Sequence, residues 1–241
     1  MIKIIEIKSN NHKIKLYTNG VVNPKKIVLC LHGFNGDLWG DGFDRLRGSF
    51  DNILVCSFDS AGHGESEIKS IDMTMKDVVC EITDVINYLN KTYSCTPVFL
   101  FALSYGGYRA MVALAQNDYK NIKGIIFVNP AFRMLQCLEK LKEFDYNTLP
   151  SNALVPMKLK LNKFLSKSFL DDLYNNDIYS MHVEIKVPIY LLIGENDDLI
   201  PRSDLMEFAS IYDCTIMYLD DGHCLKNENS WVKIRDLITC I

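Results

Sequence analysis

Ser104 lies in a stretch of small residues, Ala102-Leu103-Ser104-Tyr105-Gly106-Gly107, between an apolar run and a helical pattern. A strand that turns directly into a helix can hold a serine at its tip, where the backbone is strained and the neighbouring residues must be tiny. Gly106 meets that need, and Ala102 stands where such turns usually have glycine. The pattern predicts a nucleophilic serine. The alternative is a serine that only caps an ordinary helix.

A carboxylate and a histidine farther along the chain supply what such a serine needs. A serine hydroxyl is a poor nucleophile unless a base removes its proton and an acid orients that base. His223 follows the apolar run 215–219, and Asp197 lies in an acidic loop after the run 189–193. The sequence therefore predicts acyl-transfer chemistry by Ser104 with these two residues.

The other four histidines are poorly placed to act as the base. His12 lies in the opening pair of strand-like runs, and His182 lies at the end of a long irregular segment. His32 and His63 follow strand-like runs that precede the serine, so either could approach the site without being its base. The alternative for His223 is a surface loop residue.

Two backbone N–H groups are candidates for holding the negative charge that develops on a carbonyl oxygen under attack. The N–H of Tyr105 directly follows the serine. The turn His32-Gly33-Phe34 ends the run 27–31, and its glycine lets the backbone direct the Phe34 N–H toward the same place. We predict an oxyanion hole formed by Phe34 and Tyr105. The alternative is a plain turn at the end of a strand.

The runs that carry these residues predict a mostly parallel sheet. Short apolar runs rich in β-branched or aromatic residues are typical of buried parallel strands, and several stretches between them follow helical spacing. The strand-like runs are 27–31, 53–58, 98–102, 124–128, 189–193 and 215–219, and the helical stretches are 72–93, the residues after Pro201, and 231–238. This alternation favours an α/β fold with helices on both faces of the sheet.

Two segments depart from the alternation. Residues 2–7 and 13–17 alternate roughly by two on either side of Asn10-Asn11, which predicts an antiparallel hairpin at a sheet edge. Residues 131–186 are rich in Leu, Met, Phe, Lys and Asn, with helical patches and no obvious core strand. We interpret them as a small helical cap inserted into a single domain that spans residues 1–241.

Length and composition are those of an ordinary globular protein. The chain has 241 residues, of which 48% are hydrophobic and 23% are charged, so one core with embellishments is expected. The formal net charge of -4 is mild and the basic residues are scattered, which argues against nucleic acid as a partner. The sequence gives no signal of the oligomeric state.

The eight cysteines include no pair with CxxC spacing, which argues against a zinc or redox site. The N-terminal stretch mixes polar and apolar residues, so no secretory signal is predicted. Nothing approaches the roughly 18 consecutive apolar residues of a membrane span. We expect a cytoplasmic protein with no metal and no membrane-spanning segment.

Five ordered motifs together resemble the α/β-hydrolase family, over nearly the whole chain. They are residues 31–34, 59–66 (similar to the family's D-x-x-G-x-G-x-S loop), 102–107, 194–201 and 222–223. Ser, Asp, His is also the family's chain order. The resemblance is strongest to small carboxylesterases and to monoacylglycerol-lipase-like and cinnamoyl- or feruloyl-esterase-like members. It implies that the loop 59–66 is architectural.

The resemblance implies a serine hydrolase that cleaves a carboxylic ester of a small, partly apolar molecule through an acyl-enzyme, without a cofactor. Thioesterases, carbon–carbon bond hydrolases and acyltransferases of the same fold share this triad and stay as alternatives. A catalytically silent binding module on the same scaffold is a further alternative.

Four aspartates near the two strand ends compete for the role of the acid. The resemblance favours Asp197, which stands where the family's acid lies in similar loops. Asp198 falls where that pattern often has proline, which predicts an outward-facing turn residue. Asp220 and Asp221 are so close to His223 in sequence that the loop would have to fold sharply back, so a capping or solvent role is predicted for them.

Overall fold

The computed structural model describes residues 1–10, 12–40, 42–156, 163–181 and 183–241. Its ten strands are β1 (Lys3–Ser9), β2 (His12–Thr18), β3 (Lys26–Leu31), β4 (Ile53–Ser57), β5 (Val98–Leu103), β6 (Ile122–Val128), β7 (Leu154–Pro156), β8 (Phe164–Ser166), β9 (Ile189–Gly194) and β10 (Cys214–Leu219). Eight of them form one sheet in the order β1-β2-β4-β3-β5-β6-β9-β10, and β7 pairs with β8 in a second, two-stranded sheet.

The direction of the strands follows the sequence pattern. All neighbouring pairs from β4 across to β10 are parallel. β2 pairs antiparallel with both β1 and β4, which leaves β1 at the edge of the sheet. Asn10 joins β1 to β2 with a φ of 44°, a left-handed conformation that asparagine tolerates better than most residues. The predicted parallel sheet with an N-terminal antiparallel hairpin is confirmed.

Helices cover both faces of the sheet. Those in the described ranges are α1 (Gly42–Leu46), α2 (Met75–Thr92), α3 (Tyr105–Gln116), α4 (Met134–Lys142), α5 (Lys167–Asn175), α6 (Arg202–Ile211) and α7 (Glu228–Cys240). Alternate residues of β3 separate the two layers. Ile27, Leu29 and Leu31 pack in the core with α2 and α3, whereas Val28 and Cys30 pack with α1 and α7. Because both faces are buried there, β3, β4, β5, β6 and β9 are nearly continuous apolar runs.

A capping residue in the sequence determines where the long helix α2 begins. The helix predicted over residues 72–93 is slightly shorter in the structure, where it spans Met75–Thr92. The helix begins after Thr74, whose Oγ1 accepts a hydrogen bond from the Asp77 N–H at 3.1 Å, as an N-cap residue does. Its buried face is the apolar stripe of the sequence, namely Val78, Val79, Ile82, Val85, Ile86 and Leu89.

The segment 131–186 contains α4, a 3-10 turn at Tyr146–Thr148, the β7–β8 pair and α5. β7 and β8 have three residues each, too few for an alternating pattern to reveal them in the sequence. His182 lies outside the described residues. The role of this segment as a cap stays a prediction.

Among the helices of the described ranges, none is long and apolar enough to cross a bilayer.

Candidate active site

Ser104 occupies the tip of a sharp turn between β5 and α3. Its φ of 49° and ψ of -116° lie outside the regions that an L-residue prefers, at a cost of about 1–3 kcal/mol. The end of β6 and the turn that follows it hold this backbone on both sides. The Ser104 N–H donates to Val128 O at 3.0 Å, and Ser104 O accepts from the Ala131 N–H at 3.0 Å. The strained serine is thus fixed by its neighbour strand.

The glycine of the turn is required by a close approach of two elements. A Cβ added to Gly106 would lie 2.2 Å from Leu31 O, a distance that no real Cβ contact allows. This contact places the start of α3 against the end of β3. Ala102 is fully buried within β5, so the core of the sheet accommodates its methyl group where glycine is usual.

The three side chains predicted from the sequence lie together at the carboxyl edge of the sheet. His223 Nε2 lies 3.0 Å from Ser104 Oγ, and His223 Nδ1 lies 2.8 Å from Asp197 Oδ2. The carboxylate side chain is 2% exposed and the imidazole is 15% exposed. Since a carboxylate only accepts, Nδ1 carries the proton and Nε2 is left to accept from the serine hydroxyl.

The second oxygen of Asp197 is also engaged. Oδ1 accepts hydrogen bonds from the Leu199 N–H at 2.9 Å and the Ile200 N–H at 3.0 Å. These two donors belong to the same loop as the carboxylate. They fix its plane, so that Oδ2 faces His223.

Of the four aspartates near these strand ends, all of them described, Asp197 alone contacts the imidazole of His223. Asp198 is exposed, and Asp220 accepts from Asn196 Nδ2 at 3.3 Å. Asp221 instead organises the loop that carries the histidine, where it accepts from three backbone N–H groups at 2.8–2.9 Å, those of Gly222, Lys226 and Asn227.

Asp221→Asn is expected to destabilise the protein by about 2 kcal/mol near pH 7, because it replaces an oxygen that accepts charge-assisted hydrogen bonds by a donor. Burial opposes ionisation of Asp221, but the hydrogen bonds from Asn227, Ser230 and Lys226 outweigh it and lower the pKa of the carboxyl. The stabilisation is therefore present above the ordinary pKa of the group and is lost as the pH falls through the lowered value.

Urea unfolding of the wild type and of Asp221→Asn measures this contribution. The difference in unfolding free energy should shrink between pH 7 and about pH 2.5. The exposed neighbour Asp220 supplies the control, and Asp220→Asn should leave the stability nearly unchanged at both values. Equal stability of Asp221→Asn and wild type at pH 7 would show that the loop does not depend on this carboxylate.

The two predicted oxyanion residues also meet at this edge. Tyr105 directly follows the serine and is fully buried, and Phe34 is half-buried. Their rings lie edge to face with centroids 5.5 Å apart. The start of α3 also lies against the end of β3, the strand that leads to Phe34.

Comparison with known proteins decides the family. Residues 22–182 match the family described as serine aminopeptidase, S33. The chain belongs to this family. The sequence motifs indicated a resemblance to the α/β-hydrolase esterases, and the comparisons confirm it.

Relatives of this hydrolase include a monoglyceride lipase and a protein phosphatase methylesterase. It is 28% identical to the monoglyceride lipase of Rattus norvegicus, over 88% of this chain and 84% of that protein. It is 26% identical to protein phosphatase methylesterase 1 of Candida albicans over 58% of this chain, but it spans only 37% of that protein's length. Its structure is similar to Est1E from Butyrivibrio proteoclasticus with ferulic acid bound, with a TM-score of 0.81, 20% identity and 98% of both chains covered. This last likeness shows the fold.

The hydrolase uses its other described histidines in the framework around the site. His32 is buried, and its Nε2 accepts from the Ser60 N–H at 3.1 Å. His63 Nδ1 lies 2.9 Å from Ala61 O. His12 Nε2 lies 2.9 Å from a carboxylate oxygen of Glu81. Within the described ranges, no cluster of three or more His, Cys, Asp or Glu side chains could hold a metal ion.

Sequence reasoning missed Glu81 on α2, whose carboxylate binds the loop 59–66. This carboxylate is 1% exposed and accepts from Ser60 Oγ at 3.0 Å and from the Ala61 N–H at 2.9 Å. Its hydrogen bond to His12, aided by the attraction of the opposite charge, raises the pKa of that histidine against the effect of burial. The available signal was a glutamate on the apolar stripe of α2, three residues after Val78.

Arg109 is a second residue that the sequence reasoning missed. It is fully buried on α3, and one guanidinium nitrogen donates to His32 O at 2.7 Å. The guanidinium also lies 5.0 Å from the centre of the Tyr105 ring, within the range of a cation–π contact. It therefore ties the helix that follows the serine to the strand end that leads to Phe34.

Proposed function

We propose that this hydrolase cleaves carboxylic esters of small, partly apolar molecules, with Ser104, His223 and Asp197 as its catalytic triad. The observation that carries the proposal is the continuous chain of contacts from Asp197 Oδ2 to His223 Nδ1 and from His223 Nε2 to Ser104 Oγ. A nucleophile within hydrogen-bond reach of a base, and a base oriented by an acid, are the geometric requirements of serine catalysis.

The first half of the reaction forms an acyl-enzyme. His223 Nε2 accepts the hydroxyl proton of Ser104 as Oγ bonds to the ester carbonyl carbon and the carbonyl oxygen becomes an oxyanion. Asp197 stabilises the charged imidazole. When the tetrahedral intermediate collapses, the bond to the alcohol breaks, and the leaving oxygen takes the proton from Nε2.

The second half repeats these steps with water. Nε2 accepts a proton from the water molecule as its oxygen attacks the acyl carbon, and the same proton returns to Ser104 Oγ as the carboxylic acid departs. Every atom and proton is accounted for by the triad, the ester and water, so these steps need no metal and no organic cofactor.

The N–H groups of Phe34 and Tyr105 are proposed as the donors to the oxyanion. In the described part of the chain, neither of these N–H groups donates to another protein group, so both are available to a ligand. Removal of one such donor costs about 10²–10³ in kcat in other enzymes.

The relatives favour an oxygen ester as the substrate. A monoglyceride lipase and a methylesterase are enzymes whose names specify esters, and Est1E binds ferulic acid, a carboxylic acid that ester cleavage would release. The names of all three proteins point to oxygen-ester chemistry. They therefore support ester cleavage over thioester or carbon–carbon bond cleavage.

A substrate panel tests the proposal. p-Nitrophenyl esters of graded acyl length, methyl ferulate, a monoacylglycerol and an acyl thioester are assayed in parallel, beside labelling with a fluorophosphonate probe. We expect turnover of at least one ester class and labelling of Ser104. A well-folded protein that neither reacts with the probe nor turns over any ester would be a silent module, and turnover of the thioester alone would change the substrate class.

The segment 131–186 is proposed as a cap that selects the acyl group. A cavity of about 130 Å³ lies between α4 and the loop of the acid, with Phe132 and Cys137 on one side and Leu199 and Ile200 on the other. The N–H groups of Leu199 and Ile200 are those that bind Asp197, so the cavity borders the loop that holds this carboxylate.

Cys137→Leu is expected to lower the rate with a long acyl chain relative to acetyl by about tenfold, because added methylene groups fill the cavity and pocket contacts of this size discriminate by that order. The measurement is kcat/KM across the p-nitrophenyl ester series. Leu141→Ala is the control, since Leu141 lies on the same helix but is 43% exposed. Unchanged relative rates in Cys137→Leu would make this part of the cap purely structural.

A further inference from the structure

Asn129 stands at the end of β6 in an unusual backbone conformation. It is 1% exposed, and its φ is 43°. A buried residue in the left-handed region persists only where the surrounding structure holds it there. Asparagine is among the few side chains that tolerate this region, but tolerance alone does not explain why a polar side chain is buried here.

The side chain of Asn129 joins the two loops that carry the acid and the histidine. Its Oδ1 accepts from the Gly194 N–H at 2.7 Å, where β9 ends and the loop of Asp197 begins. Its Nδ2 donates to Gly222 O and His223 O, each at 3.2 Å. The N–H can only donate and the carbonyls can only accept, so an amide satisfies all three groups in one orientation.

The backbone beside Asn129 holds the third member of the triad. Val128 O and the Ala131 N–H hydrogen-bond to the two sides of Ser104, so the turn that begins at Asn129 grips the strained serine. One four-residue segment therefore contacts the nucleophile through its backbone and the other two loops through its one buried amide.

The packing leaves little freedom at this junction. A Cβ added to Gly194 would lie 2.8 Å from Asp221 O and 3.0 Å from Asn129 Nδ2. The loop of the acid and the loop of the histidine therefore approach each other as closely as a glycine allows, and the Asn129 amide is the polar group between them.

We infer that Asn129 is a positioning residue that sets the distances among Ser104, His223 and Asp197. The inference rests on the proposed function, because the distances matter only if these three residues react. A misplacement of about 1 Å at a reacting group costs on the order of 10² in rate. Loss of the amide should therefore lower kcat by about that factor while KM stays within about threefold.

Two variants test the inference. Asn129→Gly keeps the backbone conformation, because glycine adopts a positive φ freely, and removes all three side-chain contacts. Asn129→Asp keeps the shape and the acceptor for Gly194 but removes both donors. Asn10→Gly is the matched control, since Asn10 has nearly the same φ of 44° and lies in the hairpin, far along the sheet from the triad.

The measurement is kcat per active site, with the sites counted by fluorophosphonate labelling run to completion. A purely structural role would lower the number of competent sites and leave kcat per site unchanged. We expect both Asn129 variants to lose about 10² in kcat per site, and Asn10→Gly to match the wild type in kcat per site.

A loss below about threefold in either folded variant would overturn the inference. Failure of both variants to fold would also overturn it, because Asn129 would then be a determinant of folding rather than of position. A wild-type protein without esterase turnover or labelling would instead refute the proposed function.

Discussion

Ser104→Ala is expected to lose about 10⁶ in kcat toward any ester that the wild type cleaves, while it unfolds at the same urea concentration as the wild type. The substitution removes Ser104 Oγ, the oxygen 3.0 Å from His223 Nε2 that the mechanism uses as nucleophile. Alanine and serine are both L-residues with a Cβ, so the strain at φ 49° is the same in both proteins. Activity should therefore change without a matching change in stability.

Ser66→Ala is the matched control for this experiment. Ser66 lies in the loop 59–66, and its Oγ accepts from the Ile68 N–H at 3.2 Å, a local contact of a turn. We expect its kcat to stay within about threefold of the wild type. Full ester turnover by a folded Ser104→Ala protein would refute the triad. A large loss in Ser66→Ala would instead move part of the chemistry to this loop.

The elements, and the meeting of the three candidate residues at one edge of the sheet, could be predicted because local patterns carry them. Each of Ser104, Asp197 and His223 lies in the turn or loop that follows a short apolar run, and parallel strands bring their carboxyl ends to one edge of a sheet. The order of the strands did not have to be known, because the carboxyl ends of all parallel core strands lie at the edge where the site forms. The chemistry of the side chains at those ends then selects the candidates.

The supporting residues could not be predicted because their roles depend on contacts between distant segments. Asn129 joins residues 65 to 94 positions away, and its neighbourhood in the sequence is that of an ordinary strand end. Glu81 and Arg109 lie on helices whose apolar stripes predict burial, but nothing local indicates which buried polar group will meet them. Only the packed structure supplies those partners.

For Asp221, by contrast, the position in the sequence was informative. Its closeness to His223 in sequence argued against the role of triad acid, and the structure assigns it to three N–H groups of its own loop. Sequence distance was informative here because a short loop cannot return both a carboxylate and an imidazole to the same point without a sharp fold. The same argument said nothing about the choice between Asp197 and Asp198.

That choice has a measurable consequence, and Asp197→Asn is expected to lower kcat by about 10⁴, the size of the loss when the equivalent acid of a serine protease becomes an amide. The structure determines how the new amide must lie. Oδ1 accepts from the Leu199 and Ile200 N–H groups, so this position keeps an oxygen and the NH₂ group takes the place of Oδ2. The NH₂ group then faces His223 Nδ1 as a donor.

Two donors cannot share a hydrogen bond, so Nδ1 must give up its proton and accept from the amide. The imidazole then carries its proton on Nε2, the atom that lies 3.0 Å from Ser104 Oγ, and it can no longer accept the serine proton. Asp198→Asn alters only an exposed side chain and should change kcat by no more than about tenfold. With kcat measured for both variants on one ester and with sites counted by titration, the reverse ranking would assign the acid to Asp198. A small loss in both variants would show that His223 is oriented without a carboxylate.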